Sequence, residues 1–200
     1  MKKFVARTAM LLAVAFFILV LLSWLLTAMM TDDVRSLLSP EGIRFFFGSF
    51  TDMLLHPLLI WLILLMMAYG CFDGSGLRSA FSHNNSPRPR MALRVSALLL
   101  LVMVGIVVLL IALPHSILLS ATGKVWPSPF SHALVPIIAF AIVVLSAVYG
   151  LLSRRFLSIT DICQAMSQGI AQLSPLLLLY ILGMQLYGAV CFVFPYITTT

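Results

Sequence analysis

The amino-acid sequence predicts an all-α integral membrane protein that crosses the bilayer about five times and carries two further amphipathic helices. Three observations lead there. Hydrophobic residues make up 62% of the chain and charged residues only 9%. Soluble domains carry about 25% charged residues, so the charge here is too sparse to cover a water-facing surface. The mean hydropathy is +1.13, and the apolar residues fall in long runs that lack the polar faces a soluble helical bundle would need.

The first run covers about residues 8–30. Lys2, Lys3 and Arg7 precede it, as basic residues precede a secretory signal. A signal core spans only about 7–15 apolar residues and ends in a small-x-small cleavage site, whereas this run is longer and closes Leu25-Leu26-Thr27-Ala28-Met29-Met30. It is expected to be a retained span. Ser39-Pro40-Glu41-Gly42 then reads as a helix start, with Ser39 as cap, Pro40 at the first helical position and Glu41 facing the positive end of the dipole. From there Ile43, Phe46, Phe47, Phe50, Met53 and Leu54 recur at spacings of three and four, opposite Glu41, Arg44, Gly48, Thr51 and Asp52. This predicts an amphipathic helix over about 39–55. It either lies in the membrane interface or packs on the protein's own spans, and the pattern fits both.

The second span, about 53–72, is the shortest: if Pro57 begins it, roughly 23 Å of helix remains. The third and fourth cover about 95–113 and 133–153. A second amphipathic segment, about 160–173, follows. Ser158-Ile-Thr-Asp161 has the capping-box spacing. Ile162, Ala165, Met166, Gly169 and Leu173 form one face, and Gln164, Ser167, Gln168 and Gln172 the other. Pro175 is expected to open the fifth span, about 175–196, as Pro57 opens or kinks the second.

Charge gives the orientation. Nine of the twelve basic residues, Lys2, Lys3, Arg7, Arg78, Arg88, Arg90, Arg94, Arg154 and Arg155, fall on one side of a five-span chain. The other side holds Arg35, Arg44 and Lys124 against Asp32, Asp33, Glu41 and Asp52. The positive-inside rule places the basic side in the cytoplasm. The expectation is a multi-pass protein of the inner (plasma) membrane, N-terminus cytoplasmic and C-terminus outside. Four or six spans would divide the basic clusters. Position thus accounts for the net charge of +6 without nucleic acid. Trp126, Phe130 and Tyr196 suit an outer interfacial belt.

The pattern span, amphipathic helix, proline, span occurs twice around the third span with opposite topology. Inverted repeats of this kind build many secondary transporters; a bundle with two interfacial helices fits the same order. Tyr69-Gly-Cys-Phe72 and Tyr187-Gly-Ala-Val-Cys-Phe192 echo one another faintly.

No Asp, Glu, Lys or Arg falls inside a span so drawn. Coupled carriers usually keep ionisable groups at midplane depth; here Ser23, Ser96, Ser146 and Gln185 are the polar groups available. His56, at the mouth of the second span, reads as a headgroup-level histidine more readily than a proton relay. Cys71, Cys163 and Cys191 form no CxxC pair and are expected to be buried, inert thiols. His115 and His132, with Lys124 in one loop, have no carboxylate beside them, so no metal site is expected. Asn84-Asn-Ser86 fits a glycosylation pattern but falls on the cytoplasmic side. Gly74-Ser-Gly76 is too short to cradle a phosphate, no cofactor is implied, and no nucleophile stands with a base, which argues against an enzyme. Residues 82–90 read as a flexible loop whose Arg88 and Arg90 set topology, with anionic-lipid contact as the lesser reading.

The segment Ser36-Leu-Leu-Ser-Pro-Glu-Gly-Ile-Arg-Phe-Phe-Phe47, followed by an apolar span and Gly74-Ser-Gly-Leu77, resembles the aminobenzoyl-glutamate transporter (AbgT) family. Pro136 through Tyr149-Gly150, Asp161-Ile-Cys-Gln-Ala-Met-Ser-Gln-Gly-Ile170 and Gln185 resemble a later region of that family, with Leu186 where the family has phenylalanine. The two stretches cover roughly half of the chain. The resemblance implies a transporter framework and export of aminobenzoyl-glutamate-like or sulfonamide-like organic anions. On that reading the chain pairs as a homodimer or joins a larger membrane complex. The alternative is a non-transporting scaffold or accessory subunit that keeps only the framework. The transferable substrate-binding candidates are Gln185, Ser39 and Glu41; helix packing for the first and helix capping for the other two are equally open.

Overall fold

Five helices long and apolar enough to cross a membrane dominate a computed structural model that describes residues 2–29, 34–80, 87–112 and 129–195. In chain order the helices are α1 (Lys2–Ala28), α2 (Pro40–Gly48), α3 (Phe50–Leu54), α4 (Pro57–Ser75), α5 (Leu77–Ala80), α6 (Pro87–Ala112), α7 (Pro129–Leu152) and α8 (Ile159–Val193). No strand occurs among the described residues. The spans are α1, α4, α6, α7 and α8, so the five-span, all-α expectation holds. Trp126, His115, Lys124, Tyr196, Asp32, Asp33 and the Asn84–Ser86 tripeptide lie outside the described residues, as do the side chains of Phe130 and His132.

The chain forms two compact units, Met1–Ile60 with Leu173–Thr200, and Trp61–Gln172. In the first, Leu37, Ala189 and Val193 form a buried core with Phe16, Leu19, Val20 and Val34 packed on it. Backbone groups of the α1–α2 connection find partners across this core. Arg35 N–H donates to Val193 O at 3.2 Å. Leu37 N–H donates to Ser23 Oγ at 3.2 Å, and that hydroxyl in turn donates to Val20 O at 2.8 Å. Such pairing is obligatory where no water replaces it.

The first amphipathic segment is two short helices, not one. Gly48 and Ser49, both poor helix formers, separate α2 from α3 at Ser49, which has φ −95° and ψ 4° and no side-chain cap bond. Part of the stripe packs on the protein itself, Phe46 meeting Phe16 at 5.7 Å, and beside the stripe Phe45 stacks on Phe192 with centroids 4.4 Å apart. Ile43 and Phe47 stay exposed. Tyr180 Oη–H donates to Leu54 O at 3.2 Å, tying α3 to α8. α4 then continues past Phe72 to Ser75, which restores about 28 Å of helix to the span the sequence left short.

The second unit is held by glycines. A Cβ on Gly70 or Gly169 would run into the backbone of the other helix, so α4 and the beginning of α8 touch main chain to main chain. Cys71, Phe156 and Ala165 form the core beside them, with Val143, Ala147, Ile162 and Met166 around it. Cys71 Sγ–H donates to Val143 O at 3.7 Å. Between α7 and α8 the N–H groups of Arg155 and Phe156 both donate to Gly150 O, at 2.9 and 3.0 Å. Half of the expected capping box forms: Asp161 Oδ2 accepts from Ser158 N–H at 3.1 Å and from Leu157 N–H at 2.8 Å.

Two further expectations about the helices need correction. Pro175 does not open a helix; it lies inside α8, whose 35 residues give about 52 Å of continuous helix. The second amphipathic segment is the beginning of this helix, and the two copies of the span–helix–proline–span pattern therefore fold differently. Proline removes one backbone donor, but in apolar surroundings the remaining backbone bonds have no competitor, and the helix persists. Residues 87–90, read as loop, are the first turn of α6.

Candidate functional site

Gln185 is the most unusual side chain in the first unit. It lies on α8 one turn before Ala189 and two before Val193, on the stripe that supplies the Leu37 core. Only 7% of it is exposed. Its Nε2 is buried without a hydrogen-bond partner. A buried donor left unmet costs about 1–3 kcal/mol.

The other two sequence candidates are already engaged or turned outward. Ser39 Oγ accepts from Gly42 N–H at 3.0 Å and donates to Ser36 O at 2.8 Å, so the hydroxyl proton is used within the turn. Glu41 stands exposed in the first turn of α2. Gly42 completes the motif: a Cβ there would collide with the carbonyl groups of Ser36 and Leu37. The structure explains Ser39-Pro-Glu-Gly42 as a built helix start, and neither Ser39 nor Glu41 is hydrogen-bonded to Gln185.

A neighbouring face of α8 meets α2 and α3 around a cavity of about 470 Å³ walled by Phe45, Asp52, His56, Met184, Tyr187 and Cys191. That volume lies in the range of small-molecule sites, about 300–1,000 Å³. The spacing of Met184, Tyr187, Gly188 and Cys191, i, i+3, i+4 and i+7, marks one helix face and was available in the sequence. Gly188 lets Met53 approach, since a Cβ there would meet its sulfur. His56 Nδ1 accepts from Leu58 N–H at 3.4 Å, and His56 is exposed at the break before α4.

In the second unit Ser96 Oγ and Ser146 Oγ are likewise buried without a hydrogen-bond partner. Cys163 is exposed, unlike the buried thiol expected of it, because its turn of α8 faces away from the Cys71 core. Among the described residues no three of His, Cys, Asp and Glu converge as a metal site.

The profile of the AbgT putative transporter family matches residues 79–192. The crystal structure of the Alcanivorax borkumensis YdaH transporter, described as having an unusual topology, superposes with a TM-score of 0.73 at 15% identity. The match covers 92% of this chain and 70% of that one, a likeness of fold. No curated protein sequence matches significantly.

Proposed function

Because the chain belongs to the AbgT putative transporter family, a family of membrane transporters, we propose that it exports small organic anions of the aminobenzoyl-glutamate or sulfonamide kind, with Gln185 as a contact for their oxygen atoms. The observation that carries this reading is the unmet Nε2 donor of Gln185 on an otherwise apolar helix stripe. A carboxylate, carbonyl or sulfonyl oxygen supplies the acceptor that the buried amide lacks, and a hydrogen bond to a charged acceptor is worth about 1.5–3 kcal/mol. Ser39 and Glu41 serve the start of α2, and their influence on transport runs through the turn they hold.

The nine basic residues on one side support a cytoplasmic N-terminus and an outer C-terminus in the inner membrane. The wide exposed apolar face of α1 leaves room for a second copy. The test is reconstitution of the full chain in proteoliposomes. Labelled aminobenzoyl-glutamate and a sulfonamide are each followed in both directions under imposed ion gradients. Movement of either, lost in Gln185→Leu, supports the proposal. If neither compound moves in either direction, the chain is instead the scaffold subunit, the reading favoured by spans whose central turns carry no charged side chain.

A further inference from the structure

An arginine cluster and a dry groove share the same helices of the second unit. Arg90 and Arg94 lie in the opening turns of α6, and Arg154 and Arg155 follow the end of α7. Arg78 sits on α5, which packs against both α6 and α7. All five side chains are exposed. The carboxylates at this end are Asp73 and Asp161, and Asp161 is occupied in capping α8. This end of the unit is therefore strongly positive.

Between α6 and α7 runs a half-open groove of about 330 Å³, walled by Leu100, Val104 and Val108 on one side and Leu134, Ala141 and Leu145 on the other. Among the described residues it offers no polar side chain to a solute. Leu100 lies about 9 Å of helix beyond Arg94, well within the roughly 15 Å depth of one hydrocarbon leaflet. α6 is the least covered span, with 6% of its apolar window buried. A groove left empty forfeits its dispersion contacts, so something apolar fills it. The occupant must be apolar at groove depth and negatively charged where the arginines stand. A second copy of the chain would bring its own arginines against these.

We propose that an anionic phospholipid binds here, its phosphate against Arg90, Arg94 and Arg154 and one acyl chain in the α6–α7 groove. This assignment does not depend on the transport reading.

The test uses the full chain in nanodiscs of phosphatidylcholine containing equal small fractions of phosphatidylglycerol and phosphatidylethanolamine. The protein is then re-extracted in mild detergent and its retained lipid counted by mass spectrometry. Preferential retention of phosphatidylglycerol is expected. Arg94→Gln combined with Arg154→Gln lowers retention about tenfold or more, since each basic residue near a membrane surface contributes several-fold. Ala141→Trp fills the groove and lowers retention with every arginine intact. Should that variant fail to fold, Val104→Phe narrows the groove from the opposite wall. Equal retention of the two lipids overturns the proposal. Retention that ignores the groove variants also overturns it, because general surface attraction then suffices. So does displacement of the lipid by inorganic phosphate alone, or a dimer that dissociates on Ala141→Trp and holds no lipid.

Discussion

Gly70 of α4 and Gly169 of α8 pack so closely that a Cβ built on either would stand 2.6 Å from the other's Cα. Small residues at this kind of crossing let helix backbones approach where lipid gives no hydrophobic drive to association. Gly70→Ala or Gly169→Ala must push the helices apart, and overpacking of this kind costs about 1–3 kcal/mol. Gly105→Ala and Gly183→Ala serve as controls, because nothing beyond the helix's own neighbouring backbone lies within 4 Å of the added carbon. They should be neutral or stabilising by up to about 1 kcal/mol through helix propensity. Thermal unfolding in detergent, followed by helical circular dichroism, separates the two pairs.

Arg154 holds a left-handed φ of 58°, which costs a residue with a side chain about 1–2 kcal/mol. The turn it closes brings Phe156 over Gly150 and into the core with Cys71 and Ala165. Arg154→Gly should therefore stabilise the protein by about 1 kcal/mol and Arg154→Val destabilise it. Phe156→Ala empties the core position and should cost about 3–5 kcal/mol. The same unfolding measurement reads all three, and a neutral Phe156→Ala would contradict the core role of Phe156 beside Cys71 and Ala165.

The spans were legible because twenty or so apolar residues in a row leave few alternatives, and the start of α2 because Ser39, Pro40, Glu41 and Gly42 each suit one position of a helix start. Pro175 was misread because its local meaning is a break, as at Pro57. Whether the helix continues depends on the apolar surroundings of Leu173–Leu179, which a local rule does not weigh. The contact of Gly70 with Gly169 joins positions far apart in the chain, so nothing near either residue announces it. Gln185 was visible as an amide in an apolar span. Its lack of a partner is a property of what surrounds it in space, and only the fold reveals that.

The two roles open for Ser39 separate experimentally. As a cap, Ser39→Ala should cost about 1 kcal/mol, while Ser39→Asp, another good cap, should retain most of the stability. A substrate contact would instead lose transport in both variants at unchanged stability. Ser39 Oγ already holds Gly42 N–H and Ser36 O, so the stability loss is the expected result. Gly42→Ala should be worse than Ser39→Ala, because its Cβ strikes two backbone carbonyl groups. Comparison of unfolding midpoints with initial transport rates for the three variants decides between the roles.

Gln185 should show the opposite balance. Its unmet Nε2 donor is a cost carried by the resting protein, and Gln185→Leu replaces it with an apolar group of similar length. Removing a buried donor that has no partner should stabilise the fold by about 1–3 kcal/mol. If the amide exists to meet a substrate oxygen, the same substitution abolishes transport, the trade expected when a functional group is kept at the expense of stability. Gln185→Glu keeps the shape but replaces the donor amide with a carboxyl group, so it should lose transport of anions without gaining stability. A Gln185→Leu protein that unfolds at a lower temperature would mean that the amide has a structural partner. A more stable variant that still transports at the original rate would remove Gln185 from the substrate path.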